Sequence, residues 1–244
     1  MAAYRLDIAY DGTRFAGWAI QPGLRTVQGE LEDALGKVLG EPIRLSVAGR
    51  TDAGVHALAQ VAGFSTSRPV PPELQRALNA LTGRDLAING LTVVPGGFDA
   101  RRDARSRRYR YRVEAAEVPS PFERNRALRW PYRLDLELAG RCAEALVGTH
   151  DFTAFTPTDS AHRQFQRTVR TAGWTRESDR ILAFEIEADS FMRNMVRIVV
   201  GTMLEVATGR RELADLERLL GGADRPEAGV TALPHGLYLV DVKY

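Results

Sequence analysis

Apolar and polar residues alternate over 4–10, 43–48, 58–65 and 86–94, the mark of half-buried strands in the first hundred residues. Between these strands, apolar positions recur at helical spacing over 26–39 and 72–81. Thr26 is placed to cap the first helix, and Pro71 with Pro72 marks entry to the second. The second half repeats the order, with strand 107–113, helix 136–147, strands 168–177 and 181–188, helix 190–208, a short helix 212–220 and strand 237–242. Each half reads βαββαβ, an α+β arrangement in which two helices cover one face of an antiparallel sheet and leave the other open. Two tandem ferredoxin-like domains are therefore expected, 1–100 and 101–244, with an active-site cleft between them for an extended ligand.

At 244 residues, 44% of them hydrophobic, the chain can bury a substantial core. No stretch approaches the roughly 20 apolar residues a membrane span requires, and no basic start precedes an apolar run, so a cytoplasmic protein without membrane contact is expected. Cys142 is the single cysteine, which excludes an internal disulfide and a cysteine-based zinc site. The positive charge is almost all arginine, since Lys37 and Lys243 are the only lysines. Arginine suits bidentate phosphate contacts and base stacking, but a general bias toward arginine explains the total equally well. Only clusters point to a ligand.

One candidate for chemistry lies between strands 43–48 and 58–65, in Gly49-Arg50-Thr51-Asp52-Ala53-Gly54-Val55-His56. Glycines on both sides permit positive φ and a tight apex, so Asp52 would be held rigidly. A carboxylate that attacks or takes a proton must be ionised near neutral pH, and burial opposes that unless a cation stands nearby. Arg50 is one candidate cation. Two other readings stay open: Asp52 as a turn former beside glycine, and Asp52 with His56 as a metal pair. His150, His162 and His235 are scattered, which weighs against metal.

Helix 190–208 is apolar around most of its circumference and should be buried. Yet Ser190, Arg193, Asn194, Arg197 and Gly201 share one stripe, with Arg193 and Arg197 four apart. A guanidinium on a buried helix needs an anion, and Asp52 is the expected partner for Arg197 across the two halves. Arg193, nearer the helix start, suits phosphate. The densest basic run ends in Arg105-Ser106-Arg107-Arg108-Tyr109-Arg110-Tyr111-Arg112, where Tyr109 and Tyr111 share one strand face and Arg108, Arg110 and Arg112 the other. Interleaved arginine and aromatic residues suit phosphates and an unstacked base, with Arg105, Arg107 and Arg110 as candidate contacts. A half-buried strand whose tyrosines pack inward is the alternative. In Tyr10-Asp11-Gly12-Thr13-Arg14-Phe15-Ala16-Gly17-Trp18, packing is the expected role of Trp18.

Taken together these segments resemble the tRNA pseudouridine synthase A family. The resemblance rests on Tyr10-Asp11-Gly12, Gly17-Trp18, Gly49-Arg50-Thr51-Asp52 with Gly54-Val55-His56, Arg108-Tyr109-Arg110-Tyr111, His150-Asp151-Phe152, Met195-Val196-Arg197 and Gly236-Leu237-Tyr238-Leu239, in the family's order. It implies a homodimer without cofactor or metal that converts uridine to pseudouridine at positions 38, 39 and 40 of the tRNA anticodon stem-loop. It further implies that Asp52 is the essential carboxylate, that Arg197 pairs with it, and that Tyr109 stacks on the target base and is a candidate base. Arg50 would help hold the RNA open. A non-catalytic RNA-binding module and a glycosidase remain as alternatives. The module's aromatic octamer is absent, and only Asp52 sits in a plausible catalytic loop where a glycosidase needs two carboxylates.

Overall fold

A computed structural model describes residues 1–160 and 163–244. The chain divides into two compact units, Met1–Arg105 with Tyr238–Tyr244, and Ser106–Leu237.

In the first unit, strand β1 (Ala2–Tyr10) is followed by helix α1 (Val27–Leu39), the short strand β2 (Ser46–Val47), β3 (His56–Thr66), α2 (Leu74–Leu81) and β4 (Leu86–Val94). β1 pairs antiparallel with β3 and β4, and β2 pairs antiparallel with β3, giving the order β4-β1-β3-β2 of a ferredoxin-like sheet. Alternation on β1 turns Leu6 and Ile8 into a core shared with Leu31 and Leu35 of α1 and Leu74 and Leu78 of α2, all fully buried. The α1 boundaries follow local chemistry. Thr26 Oγ1 accepts from Gly29 N at 3.3 Å, and Gly40 closes the helix at φ 68°. Strand 43–48 contracts to two residues because Leu45 N donates to the buried Glu32 carboxylate at 3.0 Å and is lost to any ladder.

In the second unit, β5 (Ser106–Glu114) leads to β6 (Leu128–Arg129), α3 (Leu136–Ala145), β7 (Gly148–Asp151), β8 (Gln166–Arg176), β9 (Ile181–Ala188), α4 (Met195–Ala207) and α5 (Leu213–Leu219). β9 lies between β5 and β8, antiparallel to both, and β7 and β6 add to β8 and β5. The short strands β6 and β7 have no counterpart in the expected pattern. The closing strand β10 (Leu237–Lys243) falls mostly within the first unit, where Tyr238 and Leu239 lie parallel to His56 and Ala57 of β3. The hydrophobic pattern defines that strand but does not name its neighbour. Among the described residues no helix is long and apolar enough to cross a membrane.

Helix α4 is buried along nearly its whole length, from Met195 to Ala207. It starts five residues later than the sequence suggests, because Asn194 adopts φ 61°, the one positive φ among described residues other than glycine. Arg193 therefore precedes the helix and does not share a helical stripe with Arg197. Residues 229–232 lie directly on α4, since a Cβ built on Gly201 would sit 1.8 Å from Val230 O. Gly229 N donates to Thr202 Oγ1 at 3.0 Å and Ala232 N to Arg197 O at 3.1 Å, so that crossing segment is held at both ends. Gly201→Ala should destabilise the protein by roughly 2–3 kcal/mol through forced separation of helix and segment. Urea unfolding of the variant measures this, and a midpoint equal to wild type would contradict the packing.

Candidate active site

The Asp52 turn is built by two loops pressed together without side chains between them. Val55 N donates to Asp52 O at 3.1 Å and closes the turn, with Gly54 at φ 78°. Trp18 N donates to Thr51 O at 3.0 Å, and Gly12 N to His56 Nδ1 at 3.1 Å. A Cβ on Gly12 would meet Val55 O at 2.0 Å. One on Gly17, whose φ is 93°, would meet Thr51 O at 2.9 Å. Glycine is required at both places for the backbones to touch. The Trp18 ring is fully buried, so it anchors the loop as expected.

A buried polar chain fixes the other side of the turn. Gln60 Nε2 donates to Gly49 O at 2.8 Å and contacts Tyr10 Oη at 3.3 Å. The Tyr10 hydroxyl also shares a hydrogen bond with Thr51 Oγ1, 2.7 Å away. Burial pushes the Tyr10 hydroxyl up to about 12, against smaller opposing effects of Thr51 and Gln60, which keeps it neutral. At the far end of the turn His56 stacks on Tyr238 with ring centroids 4.6 Å apart. Asp52 itself is half-buried, and Arg50 is exposed and makes no hydrogen bond or ion pair among the described residues. Arg50 is thus not the counter-ion of Asp52.

In the second unit Arg197 is half-buried in the first turn of α4. Its Nε donates to Ala232 O at 2.7 Å and its Nη1 to Asn194 Oδ1 at 2.9 Å. The Asn194 side chain orients the guanidinium instead of capping the helix, and the left-handed backbone at Asn194 places it there. Sequence reading grouped Asn194 with the stripe but missed this role; an asparagine three residues before a buried arginine was the available signal.

Tyr109 and Tyr111 share one face of β5 and are both buried. Tyr109 meets Phe191 edge-on at 4.9 Å, and the Tyr111 hydroxyl donates to Leu233 O at 2.7 Å. Arg110 hydrogen-bonds Glu185 at 2.8 Å, and Arg112 pairs with Glu123 at 2.6 Å and Glu177 at 2.7 Å. Much of the strand's positive charge is therefore met by carboxylates of the same unit. Arg107 is buried and donates to Asp189 O at 2.9 Å, Arg105 is exposed, and Arg193 is exposed and paired with Asp159.

Among the described residues no three His, Cys, Asp or Glu side chains gather as metal ligands, and His162 lies outside those residues. Cys142 is buried in α3, which pushes its thiol up to about 11.

The sequence model of tRNA pseudouridine synthases matches residues 8–101 and 142–244, which takes in Asp52, Asn194 and Arg197. The chain belongs to the tRNA pseudouridine synthase family. It is 46% identical over 246 residues to tRNA pseudouridine synthase A of Frankia casuarinae, covering 98% of this chain and 88% of that one. The corresponding protein of Lacticaseibacillus casei is 41% identical over 251 residues, with both chains covered completely. That of Acetivibrio thermocellus is 40% identical over 245 residues, again with both covered completely. As a pseudouridine synthase the protein is an isomerase acting on tRNA.

His235 of this synthase is half-buried, and its pKa is held below the ordinary histidine value, by desolvation first and by the positive charge of Arg197 as well. A backbone hydrogen bond with Ala127 opposes the shift. In the folded protein His235 stays neutral where the unfolded chain already takes a proton. Its contribution to stability is therefore present above the unfolded pKa of about 6.5 and lost as pH falls through the lower folded value. Urea midpoints measured from pH 7.5 to 5 should fall less for His235→Gln than for wild type. Parallel curves would refute the assignment.

Proposed function

We propose that this enzyme converts uridine to pseudouridine at positions 38, 39 and 40 of the tRNA anticodon stem-loop, with Asp52 as its catalytic carboxylate. The observation that carries this reading is the Asp52 turn, whose backbone is fixed by Trp18 N on one side and Val55 N on the other, at the motif that the family resemblance singles out. Such a turn holds a carboxylate in place without reorganisation when the substrate arrives.

In this reading the target nucleotide leaves its stack and its base meets Tyr109, while exposed Arg50 grips the phosphate backbone. Arg197, oriented by Asn194 and Ala232, pairs with Asp52 and aims it. Arg105 and Arg193 supply further RNA contacts. Arg107 and Arg110 join them by exchanging internal partners for phosphate, which gives the half-buried Arg110 a new anion in place of Glu185. The C1′–N1 bond breaks, the uracil turns, and C1′ bonds to C5. The hydrogen of C5 leaves as a proton and N1 gains one, so the mass is unchanged. Asp52 attacks the ribose, adds to the ring, or removes a ribose proton.

Tritium release from tRNA labelled at C5 of uridine reads the reaction directly. Asp52→Asn should reduce release by at least about a thousandfold, as loss of a nucleophile or base does. Release at the wild-type rate would overturn the assignment. Arg197→Ala should lower both turnover and the urea midpoint, and unchanged values of both would refute the pairing. We further propose that the enzyme works in the cytoplasm as a homodimer. Light scattering should then give twice the 27.0 kDa mass of one chain, and the single-chain mass would overturn it.

A further inference from the structure

A second meeting of arginine and aromatic rings lies in the second unit, where a segment outside the residues matched by the family's sequence model meets Arg210, which lies within them. The segment Arg129-Trp130-Pro131-Tyr132-Arg133 follows β6, and its course is fixed at both ends. Trp130 N donates to Glu114 O at 2.9 Å and Asp135 N to Ala207 O at 2.9 Å. Trp130 and Tyr132 meet edge to face with centroids 5.4 Å apart. The Arg210 guanidinium, from the turn after α4, lies over Tyr132 at 4.4 Å and 6.0 Å from the Trp130 centroid.

A guanidinium held by its face on an aromatic ring keeps its five N–H donors around its rim. Arg210 is exposed, and among the described residues none of those donors meets a hydrogen-bond acceptor or a carboxylate. Arg133 is likewise exposed and unpaired, and Tyr132 is 49% exposed. The acid nearest Arg133 in sequence, Asp135, is engaged at the start of α3, where its Oδ1 accepts from Leu138 N at 3.0 Å. Arg110 and Arg112 contrast with this, since they spend their charge on glutamates. Here a planar fork of donors has been oriented by a ring and left unneutralised. That fork matches phosphate as well as carboxylate, and phosphate is the anion that a tRNA substrate brings.

We infer that Arg210, held on Tyr132 and supported by Arg133, is a phosphate clamp for the tRNA backbone, outside the nucleotide that reacts. Arg197 sits in the first turn of α4 and Arg210 follows its last turn. The helix axis from Arg197 to Ala207 spans about 15 Å, so the clamp holds a different part of the RNA from the one near Arg197. The inference rests on the proposed action on tRNA and adds a second anchoring point to it.

Arg210→Ala should raise the KM for tRNA roughly fivefold with kcat unchanged, and lower the slope of log affinity against log salt by about one. Arg210→Lys should restore part of the affinity, because charge returns without the planar fork. Wild-type KM and salt slope in Arg210→Ala would overturn the clamp, and so would a loss confined to kcat. Filter binding of tRNA by the same variants reads the clamp even if the wild-type protein releases no tritium, which separates its failure from failure of the proposed reaction. Loss of binding to phosphatidylserine vesicles with tRNA affinity unchanged would also overturn it, in favour of a lipid surface.

Discussion

The contact on which the Asp52 turn depends is backbone against backbone, between the loop after β1 and the turn before β3. Glycines 12 and 17 let the two segments approach to a distance that any Cβ would prevent. The Gln60–Tyr10–Thr51 chain then satisfies the buried polar groups beneath them. Such a network is worth having only when complete, because an unpartnered buried hydroxyl or amide costs about 1–3 kcal/mol. Here Gln60, Tyr10 and Thr51 each have a partner, and the turn above them carries a carboxylate whose backbone is held on both sides.

In the second unit the corresponding constraint is the crossing of residues 229–232 over α4. It depends on the bare face of Gly201, and it supplies the carbonyl that takes Arg197 Nε. Asn194 accepts a left-handed backbone to supply the second acceptor. The strained residue at the start of this buried helix supplies the acceptor that fixes the direction of the Arg197 guanidinium. Both units thus use the same device, a missing side chain that admits a backbone, and an oriented polar group that results.

The arginines divide by what surrounds them. Those of β5 lie opposite β9, whose Glu185 meets Arg110, so much of their charge is settled inside the fold. Arg50, Arg133 and Arg210 are exposed and, among the described residues, have no carboxylate partner, so their charge is left for an anion from outside the fold. Counting basic residues along the sequence identifies β5 as the positive feature. Counting after pairing moves attention elsewhere.

How much could be read without coordinates follows from the range of each interaction. Strand alternation, helix periodicity, the Thr26 cap and the proline entry to α2 are local, and the elements they specify form where expected. The glycines around Asp52 announce a tight turn because the need for positive φ belongs to a single residue. What sequence could not supply depends on partners distant along the chain. The β2 strand shortens because Glu32 takes the Leu45 amide, and α4 starts late because Arg197 draws on Asn194. Strand β10 lies beside β3, and the tyrosines of β5 are buried. Local propensity determined which segments form strands and helices; the choice of partner for each charge, edge and ring was made only when the folded chain brought distant residues within reach.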